Sequence, residues 1–128
     1  MKTTSQDWIG LLGRILMSAV FIHGGIGQAL APTATMAYFV KQGLPMVGAA
    51  YAVSLAVELG AGVLFLAGYK TRLTALILAA WSIATAMVAH YHPESREQVI
   101  HFYKNVCMAG GLLQIVAYGA GRLSVDRG

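Results

Sequence analysis

Charge is scarce in this sequence. Nine of its 128 residues are Lys or Arg and five are Asp or Glu, so only 11% are charged, against about 25% in soluble globular domains. So few charges cannot cover the surface of a soluble domain of this size. The shortage is also uneven. Asp, Glu, Lys and Arg are absent from Ile15–Val40 (26 residues), Leu73–Pro93 (21) and Asn105–Gly121 (17), and Gln42–Tyr69 (28) holds only Glu58. A helix crosses a bilayer with about 20 apolar residues, so each stretch is long enough or nearly so. Cysteine is almost missing too. A single Cys107 excludes an intrachain disulfide and any C-x-x-C dithiol. No glycine-rich nucleotide fingerprint, cysteine cluster or haem-attachment motif is present. The chain is therefore expected to carry no covalently bound cofactor, and it is not expected to be a complete redox enzyme by itself.

What is present is apolar. Hydrophobic residues make up 57% and the mean hydropathy is +0.63. The reading is an all-α polytopic membrane protein, a four-transmembrane-helix bundle forming a single domain, 1–128. Its spans are expected at about 8–30, 46–68, 73–91 and 99–118. Trp8 anchors the first span at an interface, and Pro32 closes it. A short amphipathic interfacial helix of about 34–42 follows, with Thr33 as N-cap, Gly43 at its stop and Pro45 opening the second span. Too short to cross, it is expected to lie along the membrane surface. Ala29-Leu30-Ala31 looks like a signal-peptide cleavage site. The apolar stretch before it is too long, however, Arg14 interrupts it and Pro32 follows, so the segment reads as a retained helix.

The net charge of +4 and pI near 9.5 would point to nucleic acid in a soluble protein. Here the Lys and Arg are scattered with no run of three, which is a topology signal instead. The two ends and the second loop hold Lys2, Lys70, Arg72, Arg122 and Arg127; the other two loops and the start of span four hold Lys41, Arg96 and Lys104. That bias favours N-in, C-in. The lipid bilayer is the expected partner, and no nucleic acid is.

Two charges lie well inside spans, Arg14 and Glu58. Such residues are retained in a bilayer when they pair or line a polar cavity. Arg14, six residues past Trp8, lies about 9 Å from the inner edge, and Glu58, ten before Gly68, about 15 Å from the same edge, at 1.5 Å per residue. An arginine side chain can bridge that difference, so the two are expected to form an intramembrane ion pair, either structural or a proton site. Residues at helical spacing flank them, small or polar apart from the two phenylalanines: Ser18, Phe21, Gly25 and Gln28 on span one, Tyr51, Ser54, Ala61/Gly62 and Phe65 on span two. The histidines favour the other end of the bundle, with His90, His92 and His101 around the third loop and His23 in the outer half of span one. No metal site is expected from them, because His-x-His at a helix end does not put both rings on one face.

The chain resembles the DoxX family. Arg14 in Leu12-Gly13-Arg14-Ile15-Leu16 and the run Phe21-Ile22-His23-Gly24-Gly25-Ile26-Gly27 resemble its first span. Glu58-Leu59-Gly60-Ala61-Gly62 and Gly68-Tyr69-Lys70-Thr71-Arg72 resemble its second span and turn. Lys104-Asn105, Gly110-Gly111-Leu112-Leu113 and Gly121-Arg122-Leu123-Ser124-Val125-Asp126 resemble its fourth span and tail. One departure stands out: the family usually has lysine where this chain has Gln28. The resemblance implies a small bacterial inner-membrane protein. It also implies, loosely, a role in a quinone-linked oxidoreductase or oxidative-stress system, since the family shares its name with a membrane subunit of a thiosulfate:quinone oxidoreductase. On that expectation a quinone is the cofactor, and a soluble or membrane redox partner carries the electrons. A quinone head group would bind in the outer half of the bundle to Asn105, Lys104, His101 and Gln28, while Arg14 and Glu58 satisfy each other below. The alternative is a non-catalytic membrane scaffold or interaction subunit, or a small-solute channel. A homo-oligomer is compatible with either.

Overall fold

All regular structure in residues 2–128, which the computed structural model describes, is helical. The helices are α1 (Ser5–Leu30), α2 (Pro32–Lys41), α3 (Val47–Ala67), α4 (Thr71–Ala89) and α5 (Arg96–Tyr118). All but α2 are long and apolar enough to cross a membrane. Their 19 to 26 residues make rods of roughly 28–39 Å at 1.5 Å per residue, against a hydrocarbon core of about 30 Å. The expected spans fall on these four helices, and each starts or stops within three residues of its expected bound.

Helix α1 packs on α3, α3 on α4, and α4 most extensively on α5. Phe65, Leu78 and Leu112 are fully buried at the centre, with Phe21 beside them and Ala75, Ala79 and Ala109 between. Leu16, Leu73, Ile83 and Leu113 are exposed. In a bilayer such a surface faces lipid, so helix association relies on close packing of small residues rather than on hiding apolar ones. Gly25 shows the principle. A Cβ there would stand 2.7 Å from Cγ of Leu59, so α1 and α3 approach this closely only because position 25 has no side chain.

Capping follows local chemistry. Thr4 and Asp7 form a reciprocal capping box at the start of α1, and Ser95 accepts from the Gln98 N–H at the start of α5. One expectation is corrected at α2, where Thr33 does not cap. Pro32 is the first helical residue and Ala31 precedes it without a side-chain bond. Proline suits that position because its missing N–H belongs to the four that a helix start leaves unbonded. Gly43 takes a left-handed φ of 79° just past the helix end, as expected.

Both chain ends and the α3–α4 turn meet at one end of the bundle, here the terminal end. There the backbone of residues 119–128 runs under the helices. Val125 N–H donates to the Ala67 carbonyl at 3.1 Å and Asp126 N–H to the Gly68 carbonyl at 2.9 Å. The Asp126 carboxylate accepts from Lys70 N–H (2.9 Å), Thr71 N–H (2.7 Å) and Thr71 Oγ1 (2.7 Å), so it caps α4 from a distant part of the chain. Arg122 reaches back to Asp7 at 4.0 Å.

These bonds make the tail acid-sensitive. The backbone N–H of Thr71 above all, then its hydroxyl and the N–H of Lys70, hold the Asp126 carboxyl below its ordinary value, with Arg14 adding a little. A carboxyl whose folded pKa is depressed stabilises the fold above its unfolded pKa of about 3.9, and that contribution disappears as pH falls through the folded value. Asp126→Asn is therefore expected to unfold at lower temperature than the native protein at pH 7. The two proteins should converge as the pH is taken below about 3.9, as thermal unfolding in detergent would reveal. A constant gap across that range would mean the tail is not held by the ionised carboxylate.

Candidate functional site

The expected Arg14–Glu58 ion pair does not form. Arg14 is 1% exposed and belongs to the terminal end. Its guanidinium donates to the Leu66 carbonyl at 2.5 Å and to the Leu123 carbonyl, while Nε has no partner. Glu58 belongs to another layer, where Oε2 lies 3.5 Å from the place a Gly24 Cβ would occupy. Arg14 and Gly24 are ten residues apart on α1, about 15 Å along its axis, and no arginine side chain covers that.

Trp8 and Gly68 are not level: a Gly68 Cβ would stand 2.9 Å from an Arg14 nitrogen, and a Gly62 Cβ 3.5 Å from Cβ of Phe21. The register of α1 against α3 thus brings Arg14 to the end of α3, not to its middle. Arg14 joins the turn to the tail: one planar fork satisfies a helix-end carbonyl and a tail carbonyl at once.

Glu58 stands instead beside the larger cavity, about 670 Å³ in volume and lined by α1–α5. That volume falls in the range of small-molecule sites. The walls are apolar, with Val20, Phe21, Val53, Val88 and Met108 among them, and α2 closes over them with Tyr38 and Phe39. The short helix thus does more than the surface role expected of it, because it forms part of the cavity wall. Besides Tyr38, Gln42, Ser82 and His90, the polar lining comes in two layers, one helical turn apart on three helices. The deeper layer holds Gly24, Glu58 and Trp81, with the indole N–H donating to Glu58 Oε1 at 3.4 Å. The shallower layer, four residues further along each helix, holds Gln28, Ser54 and Thr85. Ser54 Oγ donates to Gln28 Oε1 at 2.6 Å, and Asn105 of α5 donates from Nδ2 to Thr85 Oγ1 at 3.0 Å. His90 stands nearer the loop end, its Nδ1 2.7 Å from Gln98 Oε1.

Helix α3 is distorted where the deeper layer lies. Residues Ala56–Ala61 form a π-helical turn, wider than an α turn by one residue, a feature that recurs at functional sites. It carries Glu58. The carboxylate is also under-bonded: Oε2 is buried without a hydrogen-bond partner.

Of the expected quinone ligands, Gln28 and Asn105 line this cavity. His101 and Lys104 do not. Lys104 is exposed, and the His101 ring stacks on His90 with centroids 5.3 Å apart and faces Glu97 at 3.9 Å. On α5, Lys104 is turned about 100° away from Asn105, whereas His101 shares the Asn105 face but sits one turn nearer the loop, against His90. His23 is exposed on α1, and His92 pairs with Glu94 at 3.2 Å. Trp81 and Thr85 were not anticipated. The only sign of them in the sequence is an indole and a hydroxyl four residues apart inside a charge-free span.

Fold and cavity together define a four-span helical membrane protein with a ligand-sized pocket in the half of the bundle away from its termini. The chain belongs to the DoxX family, whose model matches residues 9–91. It is 33% identical over 117 residues to Inner membrane protein YqjF of Escherichia coli (strain K12), covering 91% of this chain and 88% of that protein. To Inner membrane protein YphA of the same organism it is 29% identical over 122 residues, covering 91% and 87%. No solved structure matches it. The residues that carried the resemblance separate into two groups in space. Arg14, Gly68–Thr71 and the Leu123–Asp126 tail build the terminal clasp, whereas Gly24, Glu58 and Asn105 line the cavity. Asn105 lies beyond the residues that the family model matches.

Proposed function

We propose that the cavity binds the head group of a quinone and that the protein is the membrane component of a quinone-linked redox system. The observation that carries this reading is the combination of apolar walls with hydrogen-bonded polar groups at two levels, Glu58–Trp81 and Gln28–Ser54–Thr85–Asn105, beside the further polar lining of Tyr38, Gln42, Ser82 and His90. A quinone is an apolar ring and tail with polar atoms at opposite edges of the ring. Two polar layers about 6 Å apart, four residues at 1.5 Å each, match that spacing, and the apolar walls suit the rest. Electrons would come from or go to a soluble or membrane partner, since the chain carries no motif for a resident redox group. The two relatives named as inner membrane proteins support the same location for this chain. The loop charges support N-in, C-in, with the clasp on the cytoplasmic side and the cavity in the outer half.

The test is the lipid extract of the purified protein. Quinone is expected to co-purify with the native chain and with Asp126→Asn, and to be lost from Asn105→Leu, which removes the amide from the shallower layer. Extracts of the native protein free of quinone, together with no binding of added quinone, would refute the reading.

A further inference from the structure

We propose that Glu58 makes the cavity selective for the reduced, hydroxyl-bearing head group over the oxidised one, by accepting a hydrogen bond from a ring hydroxyl. The inference rests on the quinone reading and adds the redox form that is held.

The hydrogen-bond inventory of the two layers carries it. At the deeper level the polar donors are the Trp81 indole N–H and the Ser82 hydroxyl, and they are already given to Glu58 and to the Leu78 carbonyl. What remains is acceptor capacity. Glu58 Oε1 takes one long bond of 3.4 Å and Oε2 takes none, whereas an ionised carboxylate has about four acceptor positions. Rotation about the terminal torsion of glutamate exchanges the two oxygens within a broad well, so the free capacity can turn to the cavity. In the shallower layer donors and acceptors are mixed. Gln28 accepts from Ser54 through its oxygen and keeps its NH₂, while Asn105 donates one N–H to Thr85 and keeps its oxygen. That layer suits a carbonyl or a hydroxyl equally. The deeper layer does not. A quinone carbonyl placed there would set its lone pairs against a carboxylate, and a hydroxyl would donate to it in a charge-assisted bond.

The π turn and Gly24 serve the same end. The wide turn carries Glu58 on α3, and its carboxylate lies against Gly24 of α1, 3.5 Å from where a Cβ would be. No cation faces it. Beside it stand Gly24 of α1 and Trp81 of α4; Asn105 and Met108 of α5 line the same cavity, whose other titratable groups are Tyr38 and His90. The preference therefore follows the protonation of Glu58 itself. An ionised Glu58 only accepts and selects the hydroxyl; a protonated Glu58 donates and admits the carbonyl. Selectivity for the reduced form should rise with pH and fall in acid.

The experiment measures binding of a short-chain benzoquinone and of its hydroquinone, under anaerobic conditions, to the full-length protein in lipid nanodiscs between pH 5 and pH 8. A charge-assisted hydrogen bond is worth on the order of tenfold in affinity or more. The native protein is expected to hold the hydroquinone at least that much more tightly at pH 8, with the ratio shrinking towards pH 5. Glu58→Gln should make the ratio insensitive to pH, and Asn105→Leu should weaken both forms while keeping the ratio. Both forms binding with equal affinity, or a ratio flat with pH in the native protein, would overturn the role of Glu58 and leave the quinone site standing. The native pH series decides this even if Glu58→Gln does not fold. Binding of neither form would overturn the site and the inference together.

Discussion

Replacing Arg14 with leucine is expected to destabilise the protein by about 3 kcal/mol or more, the sum of two hydrogen bonds from a charged donor at roughly 1.5–3 kcal/mol each. The guanidinium is buried against the Leu66 and Leu123 carbonyls, so its loss leaves two acceptors without partners and frees the tail from α3. Arg14→Lys should recover only part of this. A single ammonium on a flexible stem cannot present two donors in the planar fork that the two carbonyls need. Chemical or thermal unfolding in detergent measures the loss, and protease susceptibility after Gly119 reports whether the tail has come away. The same measurement separates the observed layers from the expected pair. Arg14→Leu combined with Glu58→Gln should be additive to within about 0.5 kcal/mol, as for sites more than 7–10 Å apart. A double variant milder than either single change would restore the ion pair.

Gly68→Ala is the second large effect. Gly68 ends α3 with φ at 76°, its N–H donating to the Phe65 carbonyl at 3.1 Å while Tyr69 N–H reaches the Leu64 carbonyl at 3.0 Å. These two bonds make the Schellman closure of the helix. A left-handed conformation costs an L-residue roughly 1–2 kcal/mol. Here a Cβ would also stand 2.3 Å from Cβ of Ser124 and 2.9 Å from the Arg14 guanidinium, and overpacking of that kind adds about 1–3 kcal/mol. A loss of roughly 2–5 kcal/mol is expected on those two costs together, with Arg14 and the tail displaced. Gly121→Ala is the control. Gly121 has φ at 86° but nothing within 4 Å of its missing Cβ, so only the backbone cost should appear. Equal losses at the two positions would show that the clasp tolerates a side chain at 68.

The four spans, the short helix between the first two and the polar character of the half away from the termini were all legible in the chain. A run without charge of about 20 residues has few physical alternatives to a membrane helix. Pro32, Gly43 and Gly68 mark ends that backbone chemistry dictates. Gln28 and Asn105 were found for a related reason: an amide inside an apolar helix needs a partner, and a partner means a neighbouring helix or a cavity.

Pairing is a different matter, because it depends on the axial offset between helices. Hydropathy bounds a span to within a turn or so, and one turn is about 5.4 Å, longer than any hydrogen bond. Arg14 and Glu58 were matched by counting from their own helix ends, but those ends are not level, since the tail folds beneath α3 and brings Leu123 to Arg14. The same offset brings Gly24 to Glu58 and Gln28 to Ser54, and the rotation of α5 brings Asn105 to Thr85 while leaving Lys104 exposed. The sequence by itself determined that this chain is a four-span membrane bundle with buried polar residues needing partners, because length, hydropathy and the cost of an unbonded group are local properties. Which partners those residues meet, and that Glu58 faces a cavity while Arg14 clasps the tail, were decided by the tertiary structure, because close packing at Gly25 and Gly62 sets the register of the helices and no property of a single helix contains it.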